Sequence, residues 1–355
     1  MHEISVAIVG CGYVANDHIK AWRKVKEARI VAVSDVNENA AKKAAETWKV
    51  HKYFSNLTDL LAKSDVDVVD ICTPPQFHAD LAVEAMKAGV NVVIEKPMTM
   101  TIKDAEKIVD CQKATNVKVG VIHNWLFDYP VLRADSLIKL GKLGEVYGLE
   151  VEALHTKHDL MAANEKHWCH TLAGGRFSEM LVHPIYLTRH FLSGEPTVQD
   201  VRVSKVGSYG WMCSDELCAI FKVDNKIGRT YVSFNSPRDE VYITVYGDKG
   251  ILKIELINTT IVFLPARKAS RFSKGWDSLR YAMQLTSCTI KNAWRVFSRK
   301  WLSGHDLYIK LFAENLVKGD DPPVSVEDGF ATIKILEELC GKIVEQEKRT
   351  YEIES

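Results

Sequence analysis

A glycine-rich turn near the amino terminus carries the first spacing in this sequence that could do chemistry. Gly10, Gly12 and Ala15 form a G-x-G-x-x-A pattern that directly follows an apolar run at residues 4–9. Gly10 permits a tight turn, Gly12 lets the backbone approach a pyrophosphate, and Ala15 allows a helix to pack closely on a strand. The start of such a helix offers unpaired N–H groups to phosphate oxygens. The pattern therefore predicts a dinucleotide site.

An acidic residue at the end of the next β-rich run indicates which dinucleotide binds. Residues 29–35 form that run, and Asp35 is its last residue. A carboxylate at this place accepts hydrogen bonds from the adenosine ribose hydroxyls and repels a 2′-phosphate. The sequence therefore favours NAD over NADP as the cofactor. We assign Tyr13 and Val14, which lie within the glycine turn, to the same cofactor site.

A parallel sheet is needed to bring such residues together. Helical patterns, among them residues 15–25 and 79–89, alternate with short β-rich runs in the first third of the chain. The predicted strands are residues 4–9, 29–35, 65–72 and 90–94, with a last one that ends near 121. This alternation predicts a doubly wound α/β sheet. Ligands of such sheets bind beyond the carboxyl ends of the strands, where Asp35, Thr73 and Lys96 fall.

The pattern changes after residue 121. Residues 146–153, 217–223 and 230–234 are typical of strands, and no helix is predicted between each neighbouring pair. Hairpin signals at 224–225 and 247–250 separate some of them, which favours an antiparallel sheet. We therefore predict a Rossmann domain over residues 1–122. A second, α+β domain with an open, mostly antiparallel sheet would cover residues 123–355.

Composition excludes several classes of protein. The chain has 355 residues, of which 46% are hydrophobic and 26% charged, as in ordinary globular proteins and unlike disordered ones. Its 46 Lys and Arg balance 46 Asp and Glu, so no excess positive charge favours nucleic acid as a partner. Two domains are expected at this length.

The cysteines and the apolar segments suggest a protein of the cytoplasm. None of the eight cysteines forms a C-x-x-C pair, so neither a zinc site nor a thioredoxin-like motif has its usual spacing, and free thiols are expected. The first residues lack the pattern of a signal peptide, and no run reaches the roughly 18 apolar residues that span a bilayer.

Several motifs, in order along most of the chain, resemble the glucose-fructose oxidoreductase/inositol dehydrogenase (Gfo/Idh/MocA) family. They are GCGYVA followed by His18, SD at 34–35, CTPPQFH at 72–78, EKPM at 95–98, GGRFSEMLVH at 174–183 and PPVSVEDGFATIKILE at 322–337. The EKP motif after a strand is the specific part. The resemblance implies a Rossmann domain followed by an α/β domain whose open sheet forms the substrate face and often the oligomer contact.

The resemblance implies that Lys96 is the catalytic lysine and that Glu95 lies beside it in the cofactor site. A lysine at a strand end, beside bound nicotinamide, can hydrogen-bond the reacting hydroxyl and also contact substrate. Desolvation can lower its pKa from about 10.4 toward neutrality. The alternative is a solvated lysine in a turn. Pro97 fixes the backbone after Lys96, and its isomer cannot be read from the sequence.

A second catalytic pair implied by the resemblance is Glu179 and His183, where the family commonly has Asp and His. Positions i and i+4 share a helix face, so both can point into one pocket. His183 is the better general base, because its ordinary pKa is about 6.5, and Glu179 would orient it or bind substrate hydroxyls. Tyr186 replaces a further acidic residue of the family, and Pro184 interrupts the helix pattern. A structural role for His183 remains the alternative.

Supporting residues complete the predicted site. Thr73, Pro74 and His78 match the family's loop beside the cofactor, although a plain strand-to-helix turn is an alternative. Asn124 resembles a residue near nicotinamide and substrate, and Trp125 stands where an arginine is often found.

Two residues flank the predicted substrate loop, namely Trp168 and Arg176. Arg176 could form a bidentate contact with a phosphate or carboxylate, or it could be a surface or interface arginine. Four nearby histidines have no firm ligand spacing, and hydride transfer requires no metal, so we predict no metal site. They are His155, His158, His167 and His170.

Residues 266–301 form a basic and aromatic stretch that resembles an addition to the family pattern. It carries nine Lys and Arg (Arg267, Lys268, Arg271, Lys274, Arg280, Lys291, Arg295, Arg299 and Lys300) against one acid, Asp277. Phe272, Trp276, Tyr281, Trp294, Phe297 and Trp301 are interleaved, and the last three would share one helix face. Three interpretations remain open for this stretch. They are packing against the body or a partner subunit, contact with an anionic membrane surface, and binding of an anionic substrate or nucleic acid.

These observations favour an NAD-dependent oxidoreductase that acts on a secondary alcohol of a sugar, cyclitol or sugar nucleotide. We expect a homo-oligomer, a dimer or tetramer, in the cytoplasm, with a peripheral position at the inner membrane face as a hypothesis. One alternative is a sugar-modifying enzyme that retains NAD as a transient redox centre. The other is a non-catalytic, membrane-associated binding protein on the same fold, since fold alone does not decide function.

Overall fold

The computed structural model describes residues 3–267 and 271–354. Lys268 lies outside the described residues, as do the side chains of Arg271, Phe272 and Lys274. The chain divides into two compact units. The first comprises Met1–Phe127 and Leu302–Glu337, and the second comprises Asp128–Trp301 and Glu338–Ser355.

The elements follow one another in this order. The helices are α1 (Ala15–Trp22), α2 (Glu38–Trp48), α3 (Leu57–Lys63), α4 (His78–Lys87), α5 (Ile102–Thr115), α6 (Tyr129–Lys139), α7 (Arg176–Met180), α8 (Val182–Leu192), α9 (Arg271–Phe297), α10 (Gly304–Lys318) and α11 (Val326–Glu354). The strands are β1 (Ile4–Val9), β2 (Ala28–Ser34), β3 (Lys52–Phe54), β4 (Val68–Ile71), β5 (Asn91–Ile94), β6 (Val119–Val121), β7 (Val146–Thr156), β8 (Thr197–Ser204), β9 (Glu216–Val223), β10 (Lys226–Ser236), β11 (Glu240–Gly247), β12 (Gly250–Glu255) and β13 (Thr260–Pro265).

The first unit is built on a parallel sheet of order β3-β2-β1-β4-β5-β6. Its central strands β1, β4 and β5 are mostly apolar and almost wholly buried, with Asp70 as a buried charge in β4. This is the pattern of strands covered by helices on both faces. The predicted doubly wound α/β sheet is confirmed. The strand ends at Asp35, Thr73 and Lys96 follow β2, β4 and β5, at one edge of this sheet.

The elements α2, β3 and α3 were not predicted, although their starts carry a readable signal. The side chain of Asn37 accepts hydrogen bonds from the N–H groups of Asn39 and Ala40 at the start of α2. The side chain of Asn56 accepts one from the N–H of Asp59 at the start of α3. Asparagine caps of this kind satisfy N–H groups that the helix leaves unpaired, so they mark helix starts.

Residues 302–337 belong to the first unit, whereas the sequence analysis assigned everything after residue 122 to the second domain. Gly120 in β6 explains part of this packing, since a Cβ there would lie 2.9 Å from a ring carbon of Phe312 in α10 and closer still to the Tyr308 hydroxyl. The N–H of Val121 donates a hydrogen bond of 3.3 Å to the carbonyl of Val324. The absence of a side chain at Gly120 therefore lets α10 lie against the sheet. The functional domain boundary near residue 122 stays a prediction.

The second unit is built on a mixed sheet of order β13-β12-β11-β7-β10-β9-β8. The pair β7 and β10 is parallel, and the other neighbours are antiparallel. The open, mostly antiparallel sheet that we predicted is confirmed. Both predicted hairpins exist, since Asp224 lies in the turn between β9 and β10 and residues 247–250 join β11 to β12.

The basic and aromatic stretch forms α9 and the segment after it. The Gln284 side chain bonds the N–H and the carbonyl of Phe263, and the Asn292 amide donates to the Thr259 carbonyl, so one side of α9 lies on β13 and the turn before it. The prediction that Trp301 shares a helix face with Trp294 was wrong. The helix ends at Phe297, since Arg299 has a φ of 54° that takes the chain out of helical geometry.

Candidate active site

The glycine turn between β1 and α1 has the backbone that a close phosphate approach requires. Gly10 has a φ of 90°, and a Cβ there would lie 2.8 Å from the Cys72 carbonyl atoms and from the Thr73 nitrogen. Gly12 has no atom within 4 Å of its would-be Cβ, so open space lies beside it. Gly10 is therefore fixed by its neighbours, whereas Gly12 leaves room for a ligand.

The start of α1 is suited to an anion. Its first residue is Ala15, and the N-cap residue Val14 has no side chain that accepts a hydrogen bond from the first-turn N–H groups. The N–H groups of Asn16 and Asp17 already donate to the carbonyls of Tyr13 and Val14, so it is the dipole of the helix that favours phosphate oxygens here. Tyr13 is 82% exposed on the outside of the turn. These features fit the pyrophosphate of a dinucleotide.

Asp35 is held at the carboxyl end of β2 by the turn itself. Its Oδ2 accepts a hydrogen bond of 2.8 Å from the N–H of Cys11, and its Oδ1 accepts one of 2.9 Å from the N–H of Asn37. Burial, and then the charge of Asp35, raise the pKa of the Cys11 thiol to about 12. Backbone donors thus fix the orientation of the carboxylate at the end of β2, and its contact with the ribose hydroxyls of NAD stays a prediction.

The loops after β4 and β6 present buried polar atoms without a partner. Among the described residues, the Thr73 hydroxyl oxygen and the Asn124 Oδ1 are buried and make no hydrogen bond. Buried polar atoms of a folded protein almost always have a partner. A cofactor that brings hydrogen-bonding groups to this edge of the sheet would supply one, so the residues present fit NAD.

His78, the first residue of α4, joins the loops on either side of it. Its Nε2 lies 2.7 Å from the Thr73 carbonyl oxygen, and its Nδ1 lies 3.0 Å from that of Pro97. Burial lowers the pKa of His78, and a neutral imidazole donates a hydrogen bond to only one of these two carbonyls at a time. Pro74 precedes a short 3-10 turn at Pro75–Phe77 that leads into α4. The role of His78 in this geometry is to hold the Thr73 loop against the loop that follows Lys96.

Lys96 follows β5 and is positioned through Glu95. The Glu95 carboxylate is 3% exposed, and its Oε2 accepts a hydrogen bond of 2.8 Å from the N–H of Lys96. The Lys96–Pro97 peptide is cis. The other oxygen of Glu95 contacts His18 and His305, two histidines to which the sequence analysis gave no role. His18 was visible there only as part of a motif.

Glu179 and His183 lie on consecutive helices rather than on one. α7 ends at Met180 and α8 begins at Val182, with Leu181 between them. Pro184, in the first turn of α8, has no N–H to donate to the Met180 carbonyl, so the helix is interrupted at this point. The Nδ1 of His183 lies 2.6 Å from the Tyr186 hydroxyl, which orients the imidazole.

Arg176 is occupied by two carboxylates, one of which sequence reasoning missed. Its Nε donates a hydrogen bond of 3.1 Å to Asp159, and its Nη1 donates to Glu179. The guanidinium also lies over the Phe234 ring, 5.0 Å from its centroid. Burial raises the pKa of Asp159, but the charge of Arg176 outweighs it and the net shift is downward. Arg176 thus orients Glu179 in the structure, and its burial rules out the exposed surface arginine that was one alternative. Its contact with a substrate anion stays a prediction.

Trp168 begins a 3-10 turn at Trp168–Thr171 in the same unit, and the centroid of its half-buried ring lies 5.1 Å from that of His167.

The structure brings several of the predicted residues together within each unit. At one sheet edge of the first unit lie Gly10, Gly12, Asp35, Thr73 and Lys96. On α7 and α8 of the second unit lie Arg176, Glu179, His183 and Tyr186.

Groups that could ligate a metal were searched over residues 3–267 and 271–354. Two were found, His18 with Asp70 and Cys72, and His18 with Glu95 and His305. Hydrogen bonds from His18 to Asp70 and Glu95 account for their closeness without an ion. None of the four histidines between 155 and 170 belongs to either group.

The helices were also compared with what a membrane span requires. Over residues 3–267 and 271–354, none combines the necessary length with a sufficiently apolar composition.

Family models match both halves of the chain. Residues 4–123 match the GFO_IDH_MocA model of an oxidoreductase family with an NAD-binding Rossmann fold. Residues 131–253 match the GFO/IDH/MocA C-terminal domain.

Curated relatives align over most of their length. The myo-inositol 2-dehydrogenase of Thermotoga maritima is 24% identical over 362 residues, which cover 98% of each chain. The oxidoreductase P35 of Formosa agariphila is 28% identical over 268 residues, which cover 73% of this chain and 81% of the relative.

Solved structures share the fold. The WlbA dehydrogenase from Bordetella pertussis, in complex with NADH and UDP-GlcNAcA, superposes with a TM-score of 0.77 at 22% identity and covers 98% of this chain and 96% of its own. The scyllo-inositol dehydrogenase from Lactobacillus casei, with bound NAD(H) and scyllo-inositol, has a TM-score of 0.77 at 18% identity, with 98% and 97% coverage.

Proposed function

The chain belongs to the Gfo/Idh/MocA oxidoreductase family, and we propose on this premise that it oxidises or reduces a secondary alcohol of a sugar, cyclitol or sugar nucleotide. It is an NAD-dependent oxidoreductase acting on CH–OH groups. The substrate class follows the relatives, which include inositol dehydrogenases and a dehydrogenase crystallised with UDP-GlcNAcA.

The cofactor is held by residues of the first unit. The turn from Gly10 to Val14 takes the pyrophosphate, and Asp35 accepts hydrogen bonds from the adenosine ribose. Thr73 and Asn124 offer the buried polar atoms that lack a partner. Pro74, His78 and Glu95 shape the loops that carry them. When bound, NAD supplies the hydride acceptor.

Lys96 and His183 both act on the substrate hydroxyl, Lys96 as a hydrogen-bond donor and His183 as the base that exchanges its proton. The Lys96 ammonium donates a hydrogen bond to the hydroxyl oxygen, which stabilises the charge that develops when the C–H hydride leaves. His183 accepts the hydroxyl proton in oxidation and returns it in reduction. Glu179, held by Arg176, accepts hydrogen bonds from neighbouring substrate hydroxyls. Tyr186, Trp168, Arg176 and Asn124 complete the proposed substrate set.

One observation carries the proposal. Lys96 follows the carboxyl end of β5, and the buried carboxylate of Glu95 fixes its backbone by accepting its N–H. The first turn of the same sheet fits a pyrophosphate. A binding protein needs the turn but not a lysine anchored in this way, because the anchor matters only where the amine must be placed accurately.

The test is NADH formation from NAD over a panel of cyclitols, sugar phosphates and sugar nucleotides. We expect a signal with at least one class and its loss in Lys96→Ala, which should still bind NAD. Lys103→Ala, an exposed lysine at the start of α5, is the matched control and should keep full activity.

The two alternatives predict other results in the same assay. An enzyme that retains NAD as a transient redox centre would convert substrate without net NADH. A non-catalytic protein would bind NAD and convert nothing. The relatives named above are oxidoreductases or dehydrogenases, so neither alternative has support from them.

The open face of the second sheet supports a homo-oligomer. Ile227 and Tyr231 on β10 and Tyr242 on β11 are exposed, and the two tyrosines lie opposite Glu152 of the intervening strand β7. Exposed apolar residues that cluster mark interaction surfaces. Light scattering should give a mass of two or four times 40.0 kDa. Tyr231→Lys should lower that mass, and Tyr53→Lys, an equally exposed tyrosine on β3 of the first unit, should not.

The outer side of α9 supports contact with an anionic membrane surface at the cytoplasmic side. Trp276, Met283, Ile290 and Phe297 recur every seven residues and are exposed, as is Trp294. Basic side chains flank them, and the stretch 266–301 holds one acid against nine Lys and Arg. Exposed aromatics among basic residues are typical of helices that lie on anionic lipid. Arg295 is already stacked over Tyr129 and is left out of this surface.

Co-sedimentation with phosphatidylglycerol vesicles tests the membrane contact. Binding should fall in Trp294→Ser/Phe297→Ser and with rising salt, and it should be absent with phosphatidylcholine alone. Leu140→Ser/Leu160→Ser, which changes equally exposed residues elsewhere, is the control. Absence of binding to anionic vesicles would refute the membrane contact, and a loss of oligomer mass in the double variant would assign this helix to a protein partner instead.

A further inference from the structure

A cluster of ionisable side chains, most of them buried, surrounds Glu95, the residue that precedes Lys96. The proposed chemistry does not use these side chains. His18 is fully buried, and its Nε2 lies 3.0 Å from Glu95 Oε1. The Nε2 of His305 lies 3.0 Å from the same oxygen. The two imidazole rings are 5.4 Å apart. Two histidines from distant parts of the chain thus converge on one carboxylate oxygen.

The other side of His18 faces a second carboxylate. Its Nδ1 lies 2.8 Å and 2.9 Å from the two oxygens of Asp70, and the Trp22 indole donates a hydrogen bond of 2.7 Å to Asp70. The Cys72 thiol also faces this pair, with its Sγ 3.8 Å from Asp70 Oδ1, and the buried Tyr308 interacts with the charge of Asp70. Burial lowers the pKa of His18, but the charges and hydrogen bonds around it outweigh burial, and the net shift is well upward.

Glu95 is therefore ionised and accepts hydrogen bonds from both histidines. Burial raises its pKa, but the hydrogen bonds and charges of His18 and His305 exceed this effect and bring the pKa well below its ordinary value. A carboxylate is planar, so two donors on Oε1 also fix the direction of Oε2. That oxygen accepts the N–H of Lys96.

We propose that His305 is a positioning residue for Lys96, and that it acts together with His18 by fixing the plane of the Glu95 carboxylate. The inference rests on the proposed catalytic role of Lys96 and extends it to a residue of α10, far away in the sequence. His305 would touch neither substrate nor cofactor. Its effect reaches the reaction through the backbone of Lys96, whose displacement by about 1 Å can cost on the order of 100-fold in rate.

Three variants separate positioning from stability. His305→Leu removes the donor to Glu95, whereas His305→Gln keeps an amide donor at about the place of Nε2. Lys24→Met is the matched control, since Lys24 forms an ion pair of 2.6 Å with Asp306 at the start of α10 but does not touch Glu95. The readouts are kcat, KM, NADH binding by fluorescence, Tm, and the amide resonance of Lys96 in a TROSY spectrum.

We expect His305→Leu to lower kcat by about 10- to 100-fold and to change NADH affinity by less than about threefold. His305→Gln should recover most of kcat, and Lys24→Met should lower Tm without lowering kcat. The Lys96 amide proton should shift upfield in the Leu variant and return in the Gln variant, because its acceptor loses and regains its orientation.

Wild-type kcat in His305→Leu, equal losses in the Gln and Leu variants, or a loss of kcat in Lys24→Met would overturn the inference. If the wild-type protein converts nothing, the proposed function fails. The amide resonance then decides on its own whether His305 fixes Lys96, because it needs no turnover.

Discussion

The carboxylate of Asp35 accepts a hydrogen bond of 2.8 Å from the backbone N–H of Cys11, so the residue predicted to read the ribose also fixes the turn predicted to hold the pyrophosphate. A direct hydrogen bond thus couples the predicted ribose-binding carboxylate to the predicted phosphate-binding turn. A change at Asp35 acts on both the charge that discriminates between NAD and NADP and the geometry of the turn.

Asp35→Asn separates these two effects. The amide oxygen can still accept from Cys11, but the negative charge toward the ribose is lost. We expect NAD affinity to fall by about 10- to 100-fold, since hydrogen bonds to charged groups contribute about 1.5–3 kcal/mol. NADP affinity should rise, because the repulsion of its 2′-phosphate is removed. Fluorescence titration with NADH and NADPH measures both, and Asp59→Asn on the same unit should change neither.

Gly10 and Gly12 should respond differently to the same methyl group. Gly10→Ala places a Cβ 2.8 Å from backbone atoms of Cys72 at a φ of 90°, so the variant should lose about 1–3 kcal/mol or more of stability. Gly12→Ala meets no atom within 4 Å, so its Tm should be unchanged while NAD affinity falls at least about tenfold. Thermal melts and NADH titration of the two variants test this contrast. Equal losses of Tm would contradict it.

The glycine turn and the strand ends could be predicted because their determinants are local. Gly10, Gly12 and Asp35 act through turn geometry and strand termination, both of which are visible in a few consecutive residues. His305 could not be found in this way, since it meets Glu95 across 210 positions of sequence and lies on a helix that packs against β6. No spacing rule reaches that far.

The second unit shows a different limit of sequence reasoning. Asp159 lies 17 residues before Arg176, in a loop without regular periodicity, and the ion pair between them depends on how that loop folds back. Pro184 was visible as an interruption of the helix pattern, and the break between α7 and α8 is its consequence. The sequence thus indicated the helix break at Pro184, but it did not indicate that Arg176 pairs with Asp159.

Cysteine reactivity should follow burial. Burial raises the pKa of the Cys11, Cys72 and Cys169 thiols to about 12, so at pH 8 only about one thiol in ten thousand is ionised. Cys213 is exposed. Iodoacetamide at pH 8 followed by peptide mass spectrometry should label Cys213 first and leave those three unmodified. Loss of the fast phase in Cys213→Ser is the control, and early labelling of Cys11 would refute the expectation.

The His18 cluster should make stability depend on pH with a defined sign. The pKa of His18 is raised in the folded protein, so its contribution is complete below the unfolded value of about 6.5 and is lost as pH rises through the folded pKa. The pKa of Glu95 is lowered, so its contribution is complete above about 4.3 and is lost as pH falls through its folded pKa.

His18→Gln should therefore destabilise the protein most between about pH 4.5 and 6.5, by roughly 3–5 kcal/mol, because the charges of Asp70 and Glu95 lose their partner. The difference in Tm from wild type should shrink as pH is raised further. Melting curves from pH 5 to 10 measure it. His51→Gln, an exposed histidine of the same unit, should show no difference at any pH.

We expect the replacement of Arg176 to lower the stability of the folded protein. It is buried between the carboxylates of Asp159 and Glu179, so Arg176→Met leaves two partly buried negative charges without their partner. Breaking a buried pair on one side costs roughly 3–5 kcal/mol, and urea unfolding should show a loss of this size. Arg202→Met removes an exposed pair with Asp200 and should cost less than about 1 kcal/mol.

The substrate dependence of a second variant, Arg176→Lys, distinguishes the two roles of Arg176. If the residue only orients Glu179, then Arg176→Lys, which keeps the charge, should raise KM for phosphorylated and neutral substrates by the same factor. If the guanidinium binds a substrate anion, KM should rise for the phosphorylated or carboxylated substrates alone, because the bidentate contact is lost only there. The geometry favours the first outcome, since Asp159 and Glu179 already occupy the donors that a bidentate contact would use.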